Sequence, residues 1–186
     1  MRKYSTNGAQ EYAKNGTGKI LVNEFSVAFG KDFDATIAEI TDIIVGENIN
    51  IGGIDFSVVY PSCTLKCNRE AFDIEIPEIN SICTHMLGAD YHSMITGEND
   101  IDSLVRDLKN YVAKKYDLIL TSHHTPENLS AVEIKIAYLE KIKILIRESI
   151  SAEEFKDKVK KEYPVYLGEN YLDMTAARLF KQTLNR

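Results

Sequence analysis

The hydrophobic period of this chain changes once along its length, and that change limits its possible folds more than any single motif. Up to about residue 86 the chain reads mostly as β, with apolar residues at every second position over 49–60 and 72–76. Ile49, Ile51, Ile54, Phe56, Val58 and Tyr60 alternate with small or polar residues around Gly52-Gly53, which predicts a β-hairpin closed by a glycine turn. Phe72-Asp73-Ile74-Glu75-Ile76 alternates in the same way before Pro77, and residues 80–86 read as another short strand. Nearer the start, residues 9–15 predict a short helix ending at Gly16. The apolar run 19–25 has the length of a strand, and 36–45 leaves helix and strand open. From Asn99 the period becomes helical. Ile101, Leu104, Val105, Leu108 and Val112 share one face of a helix over 99–115, for which Asn99 is a suitable cap. A strand at 116–120 runs into Thr121-Ser122-His123-His124. Thr125-Pro126 then predicts the opening of a long helix reaching Glu148. Ser151-Ala152-Glu153-Glu154 is a capping-box pattern that starts a third helix ending at Pro164, and 170–184 form a last one. A β-rich first half followed by helix, strand and helices is the pattern of a layered α/β domain, expected as one domain over residues 1–186.

Composition narrows the class. The chain has 186 residues, 44% hydrophobic and 27% charged, which suits a folded domain rather than a disordered one. With 22 Lys and Arg against 28 Asp and Glu the net charge is −6, which argues against a nucleic-acid partner, whose phosphates call for a basic face. No apolar run approaches the ~20 residues that span a bilayer, so no membrane partner is expected. The first eight residues have no apolar core of a secretory signal. Three cysteines, an odd number, point to a reducing compartment, and the expected location is cytoplasmic.

The four histidines, His85, His92, His123 and His124, fall within forty residues. His85 closes one predicted strand and His123 another, and strand ends are where distant segments meet in a site. Asp90 stands between His85 and His92. Imidazole with carboxylate suits zinc, manganese or iron, so His85, Asp90, His92 and His123 are candidate metal ligands. The alternative is that these are solvated loop histidines. Cys63 and Cys67 are separated by three residues and only Cys83 remains, which falls short of a structural zinc site. Cys83 reads as a small hydrophobe in a strand; as a nucleophile it would need His85, two residues on and on the same face, to lower its pKa. Tyr138, Tyr163, Tyr166 and Tyr171 read as packing residues with a polar tip. No P-loop, dinucleotide fingerprint or nucleophile elbow is present.

The strand and turn Leu118-Ile119-Leu120-Thr121-Ser122-His123 resembles a late motif of the metallo-β-lactamase-fold, metal-dependent hydrolase superfamily, in which a strand ends in a histidine that binds the second metal. Ala137-Tyr138-Leu139-Glu140-Lys141-Ile142, Tyr163-Pro164 and Asn170-Tyr171-Leu172-Asp173-Met174-Thr175 resemble the helical tail of a bacterial branch. The glycine hairpin and Thr84-His85 come in the expected order. The resemblance implies an αββα sandwich, incomplete at its N-terminus. The family's H-x-H-x-D-H motif is absent: Thr6 to Tyr12 resemble the stretch just after it, which puts Arg2, Tyr4 and Ser5 at ligand positions. The bridging aspartate falls on Met86 by strict spacing, or on Asp90 if the strand runs on.

On this resemblance His123 is the metal ligand carried over, joined by Asp90 and by His85 or His92, and at most one ion, zinc or else manganese or iron, is expected per chain. The expected function is that of a metal-dependent hydrolase-like protein, truncated and weakly active or inactive alone, acting on a small molecule if active. The alternatives are a non-catalytic oligomeric binding module on the same scaffold and one half of a split hydrolase. An incomplete sandwich would leave strand edges to be covered by a homo-oligomer or a complementing chain.

Overall fold

The structure, a computed structural model, describes residues 4–36, 42–43, 48–60, 72–85, 87–95 and 97–181. The backbone divides into two compact units, Met1–Glu75 and Ile76–Arg186.

In the first unit β1 (Tyr4–Ser5) leads into α1 (Asn7–Asn15) and α2 (Thr17–Phe29). Thr6, 3% exposed, caps α1 by accepting the Ala9 amide at 3.1 Å, which satisfies one of the free donors of the first turn. Gly16 ends the helix, its amide donating to the carbonyls of Glu11 and Tyr12. The strand expected at 19–25 is instead the middle of α2. The apolar stretch does not stop at Phe25 but goes on through Val27 to Phe29, and thirteen residues exceed an ordinary strand. β2 (Asp42–Ile43) pairs in parallel with β1; the rest of 36–45, apart from Thr36, lies outside the described residues.

The hairpin forms as expected. β3 (Asn48–Ile51) and β4 (Ile54–Val59) pair antiparallel, Ile51 opposite Ile54 and Ile49 opposite Phe56. Gly52 and Gly53 have φ of 65° and 91°, the left-handed geometry that a two-residue hairpin turn requires. The even register places Asn48, Asn50, Asp55 and Ser57 on one face, where Asn50 donates to Asp55 at 2.6 Å and Ser57 to Asn48 at 2.8 Å. β5 (Asp73–Ile76) pairs antiparallel with β4.

The second unit begins with β6 (Ser81–Thr84), crosses over through α3 (Glu98–Lys114) and returns as β7 (Leu118–Thr121), parallel to β6. A parallel return needs such a crossover. α4 (Leu129–Arg147), α5 (Ala152–Glu162) and α6 (Glu169–Lys181) follow. Ile82 and Ile119 are opposite each other in the ladder and wholly buried. With Ile101, Val105, Val132, Leu139, Ile142, Phe155, Val159 and Leu172 they belong to one continuous core. Each such apolar side chain stabilises the fold by about 1.5–3 kcal/mol relative to exposure.

Two expected helix starts shift. Gly97, not Asn99, precedes α3. α4 opens at Leu129 with Asn128 as its cap, because Glu127 is still held extended by two 2.9 Å backbone bonds to Ile119. The third helix opens where expected: Ser151 accepts the Glu154 amide at 3.1 Å and the Glu154 carboxylate accepts the Ile150 amide at 2.9 Å. Among the described residues no helix is long and apolar enough to cross a membrane.

Candidate functional site

The parallel register decides what meets at the sheet edge. Thr84 is opposite Thr121 at the carboxyl ends of β6 and β7, so the chain leaves both strands side by side, the usual place for a site in parallel α/β sheets. The Ser122 amide donates to the His85 carbonyl at 3.1 Å, extending the ladder by one step. His85 and His123 consequently meet, their rings edge to face with centroids 4.7 Å apart. Both side chains reach solvent. The surrounding protein lowers the His85 pKa first by desolvation and then by the proximity of His123, which keeps His85 in the neutral form that can accept a proton or donate a lone pair.

The other two predicted ligands diverge. His92 is 2% exposed. Its Nδ1 lies 3.1 Å from the Tyr138 hydroxyl, and its ring faces those of Tyr138 and Tyr166. Burial, followed by the charge of Lys135, holds its pKa down. Asp90 sits in a turn, its carbonyl accepting the Leu167 amide at 2.9 Å and its carboxylate charge acting on Lys135 and Tyr166. Among the described residues no group of three or more His, Cys, Asp or Glu side chains is placed to hold a metal ion. Two imidazoles fall short of the three protein ligands that a catalytic zinc keeps. Among the described residues the donor set here is therefore the two imidazoles of His85 and His123, each able to donate or accept a hydrogen bond or to offer one lone pair to an ion. Cys83 is half-buried; Cys63 and Cys67 lie outside the described residues.

His124 packs on the segment that follows β6. Its ring stacks obliquely on Tyr91 at 4.2 Å, and its Nε2 is buried with no hydrogen-bond partner among the described residues. Two residues that hold the segment after His85 escape sequence reasoning. Glu127 accepts the amides of Gly88 and Ala89. Lys135, 3% exposed, donates to the Tyr91 carbonyl and lies over the Tyr138 ring at 4.8 Å. The signal was present: Lys135 stands three residues from Val132 and four from Leu139, on the buried stripe of α4.

No protein-family model and no curated protein matches the sequence. Solved structures do. Over 99% of its length the chain is similar to a metallo-beta-lactamase family protein from Thermus thermophilus, at 10% identity and a TM-score of 0.57, covering 66% of that protein. Over 98% of its length it is similar to the stereoselective inverting sec-alkylsulfatase Pisa1 from Pseudomonas sp., at 12% identity and a TM-score of 0.57. It spans 36% of that chain. The fold is therefore that of the metallo-β-lactamases, as the late strand-and-histidine motif implied.

Proposed function

We propose that this metallo-β-lactamase-fold chain is a hydrolase-like protein whose hydrolytic activity, acting alone, is weak or absent, and that it holds at most one divalent ion, loosely, through His85 and His123. The observation that carries this reading is the lone imidazole pair: two histidines converge at the strand ends, with no third ligand beside them among the described residues. A single ion held by two imidazoles is weakly bound and leaves most of its coordination to solvent. With no ion bound, the two imidazoles can orient a water and accept its proton, which by itself contributes on the order of 10²–10⁴ in rate, far short of a hydrolase's usual acceleration.

The test is elemental analysis of the protein purified without chelator or metal-binding tag, with a hydrolysis panel of lactams and sec-alkyl sulfate esters. The sulfate esters are included because the chain aligns on a sec-alkylsulfatase. The expected result is no more than about one equivalent of zinc, manganese or iron, lost in His123→Ala, with turnover near background. Two tightly held equivalents with rapid metal-dependent turnover would overturn the reading.

A further inference from the structure

Residues 87–95 lie between β6 and α3 with no helix and only a single bridge, Tyr91 to Leu167, yet Leu87, His92 and Ile95 are 5%, 2% and 1% exposed. A buried segment of this kind must find partners for its backbone polar groups outside any ladder. It finds them in four places. In the β7–α4 loop, Glu127 accepts the Gly88 and Ala89 amides at 3.0 and 2.8 Å. In the α5–α6 loop, the Leu167 amide donates to the Asp90 carbonyl, and the His92 amide donates to the Leu167 carbonyl. In α4, Lys135 donates to the Tyr91 carbonyl at 2.6 Å and to the Ser93 hydroxyl at 3.2 Å, while the Tyr138 hydroxyl accepts the Ser93 amide at 3.4 Å. In α6, Thr175 donates to the Ser93 carbonyl at 2.9 Å and accepts the Ile95 amide at 2.8 Å.

We propose that residues 87–95 form a strap that opens and closes as one unit, with Lys135 as its central latch. The two acceptors of the Lys135 ammonium, the Tyr91 carbonyl and the Ser93 hydroxyl, both belong to the strap. A buried cation stripped of its acceptors is strongly unfavourable, so Lys135 cannot keep its place while the middle of the strap leaves. The middle, in turn, lies between the Glu127 lock at one end and the Thr175 lock at the other. The strap begins two residues after His85 and carries Asp90 and His92. Closed, it keeps His92 inside the tyrosine cluster; open, it would release His92 and bare Tyr138 and Tyr166. These contacts are the same whether or not the chain hydrolyses anything.

Amide exchange followed by NMR on the full chain tests the strap, with Ile82 and Ile119 as the check that the core is unchanged. Thr175→Val removes only the lock at Ser93 and Ile95. If the strap is one unit, this change speeds exchange by about tenfold or more at Gly88 and Ala89 as well, although Thr175 touches neither. Acceleration confined to the Ser93–Ile95 end would overturn the proposal. Lys135→Met is expected to speed exchange along the whole strap, and wild-type rates at Gly88 and Ala89 in that variant would remove Lys135 as the latch. Should Lys135→Met fail to fold, Thr175→Val alone decides whether the strap is cooperative.

Discussion

At Gly88 the backbone has φ of +58°, and a Cβ there would lie 2.8 Å from His124 Nε2. Gly88→Ala therefore carries two separate penalties, left-handed backbone strain and a clash with the His124 ring. The expected loss is about 1–3 kcal/mol, measured by urea unfolding. In a His124→Ala background the contact with the ring disappears while the strain and a 3.1 Å approach to Tyr91 Cβ remain, so the cost of Gly88→Ala should fall but not vanish. A cost unchanged in that background would show that the clash contributes nothing. Lys135 sets the pH dependence. Burial pushes its ammonium down to about 8, against partial support from Glu127 and Asp90, whereas an unfolded lysine titrates near ~10.4. Between those values the unfolded chain binds more protons, so stability rises with pH from about 8 towards 10. Tyr138 and Tyr163, both raised chiefly by burial, act in the opposite sense, because they ionise first in the unfolded chain. Their effect begins only near pH ~10. The urea midpoint should therefore climb between pH ~8 and ~9.5 in the native protein and stay flat in Lys135→Met. His85 and His123 were legible in the sequence because each closes a strand. Lys135 was legible only in part: its spacing places it on the apolar stripe of α4, but the acceptors that let a lysine stay there come from a distant loop.

Elements with a long, uniform period were the legible ones. α3, α4 and α5 follow their apolar spacing closely, and the glycine hairpin follows its alternation and its turn. Boundaries set by tertiary contact were hidden. Proline at 126 looked like a helix opening, but the Ile119–Glu127 bonds keep the chain extended past it, and Asn128 caps the helix by accepting the Ser130 and Ala131 amides at 3.0 and 3.3 Å. Asn128→Ala should then cost about 1 kcal/mol, with Asn128→Asp close to neutral. Pro126→Ala should change stability by no more than about 0.5 kcal/mol. A larger loss at Pro126 than at Asn128 would move the helix start back to where the sequence alone places it. α2 hides its type for another reason: an apolar run of seven residues suits a strand or a buried helix equally well, and only its continuation to Phe29 separates them.

At the scale of the whole chain, the metallo-β-lactamase fold was readable from the order of elements and the strand ending in His123, while the division into two units was not. Among the described residues the continuous core runs from Ile82 to Phe180, within the second unit. Of the first unit's residues whose burial is described, Val58 is the one buried hydrophobic side chain, and the hairpin leaves Ile51 and Ile54 nearly half exposed, at 46% and 45%. Hydrophobic burial is the main favourable term in folding, and regions poor in it open at lower free energy. Amides of β3 and β4 should therefore exchange at least about tenfold faster than those of Ile82 and Ile119, a gap of about 1.4 kcal/mol or more in opening free energy. The gap should narrow as urea is added, because opening that exposes more surface falls more steeply with denaturant. Equal protection of the hairpin and the β6–β7 pair in the absence of urea would mean instead that the two units unfold in a single step, and that their stability is not partitioned as their cores are.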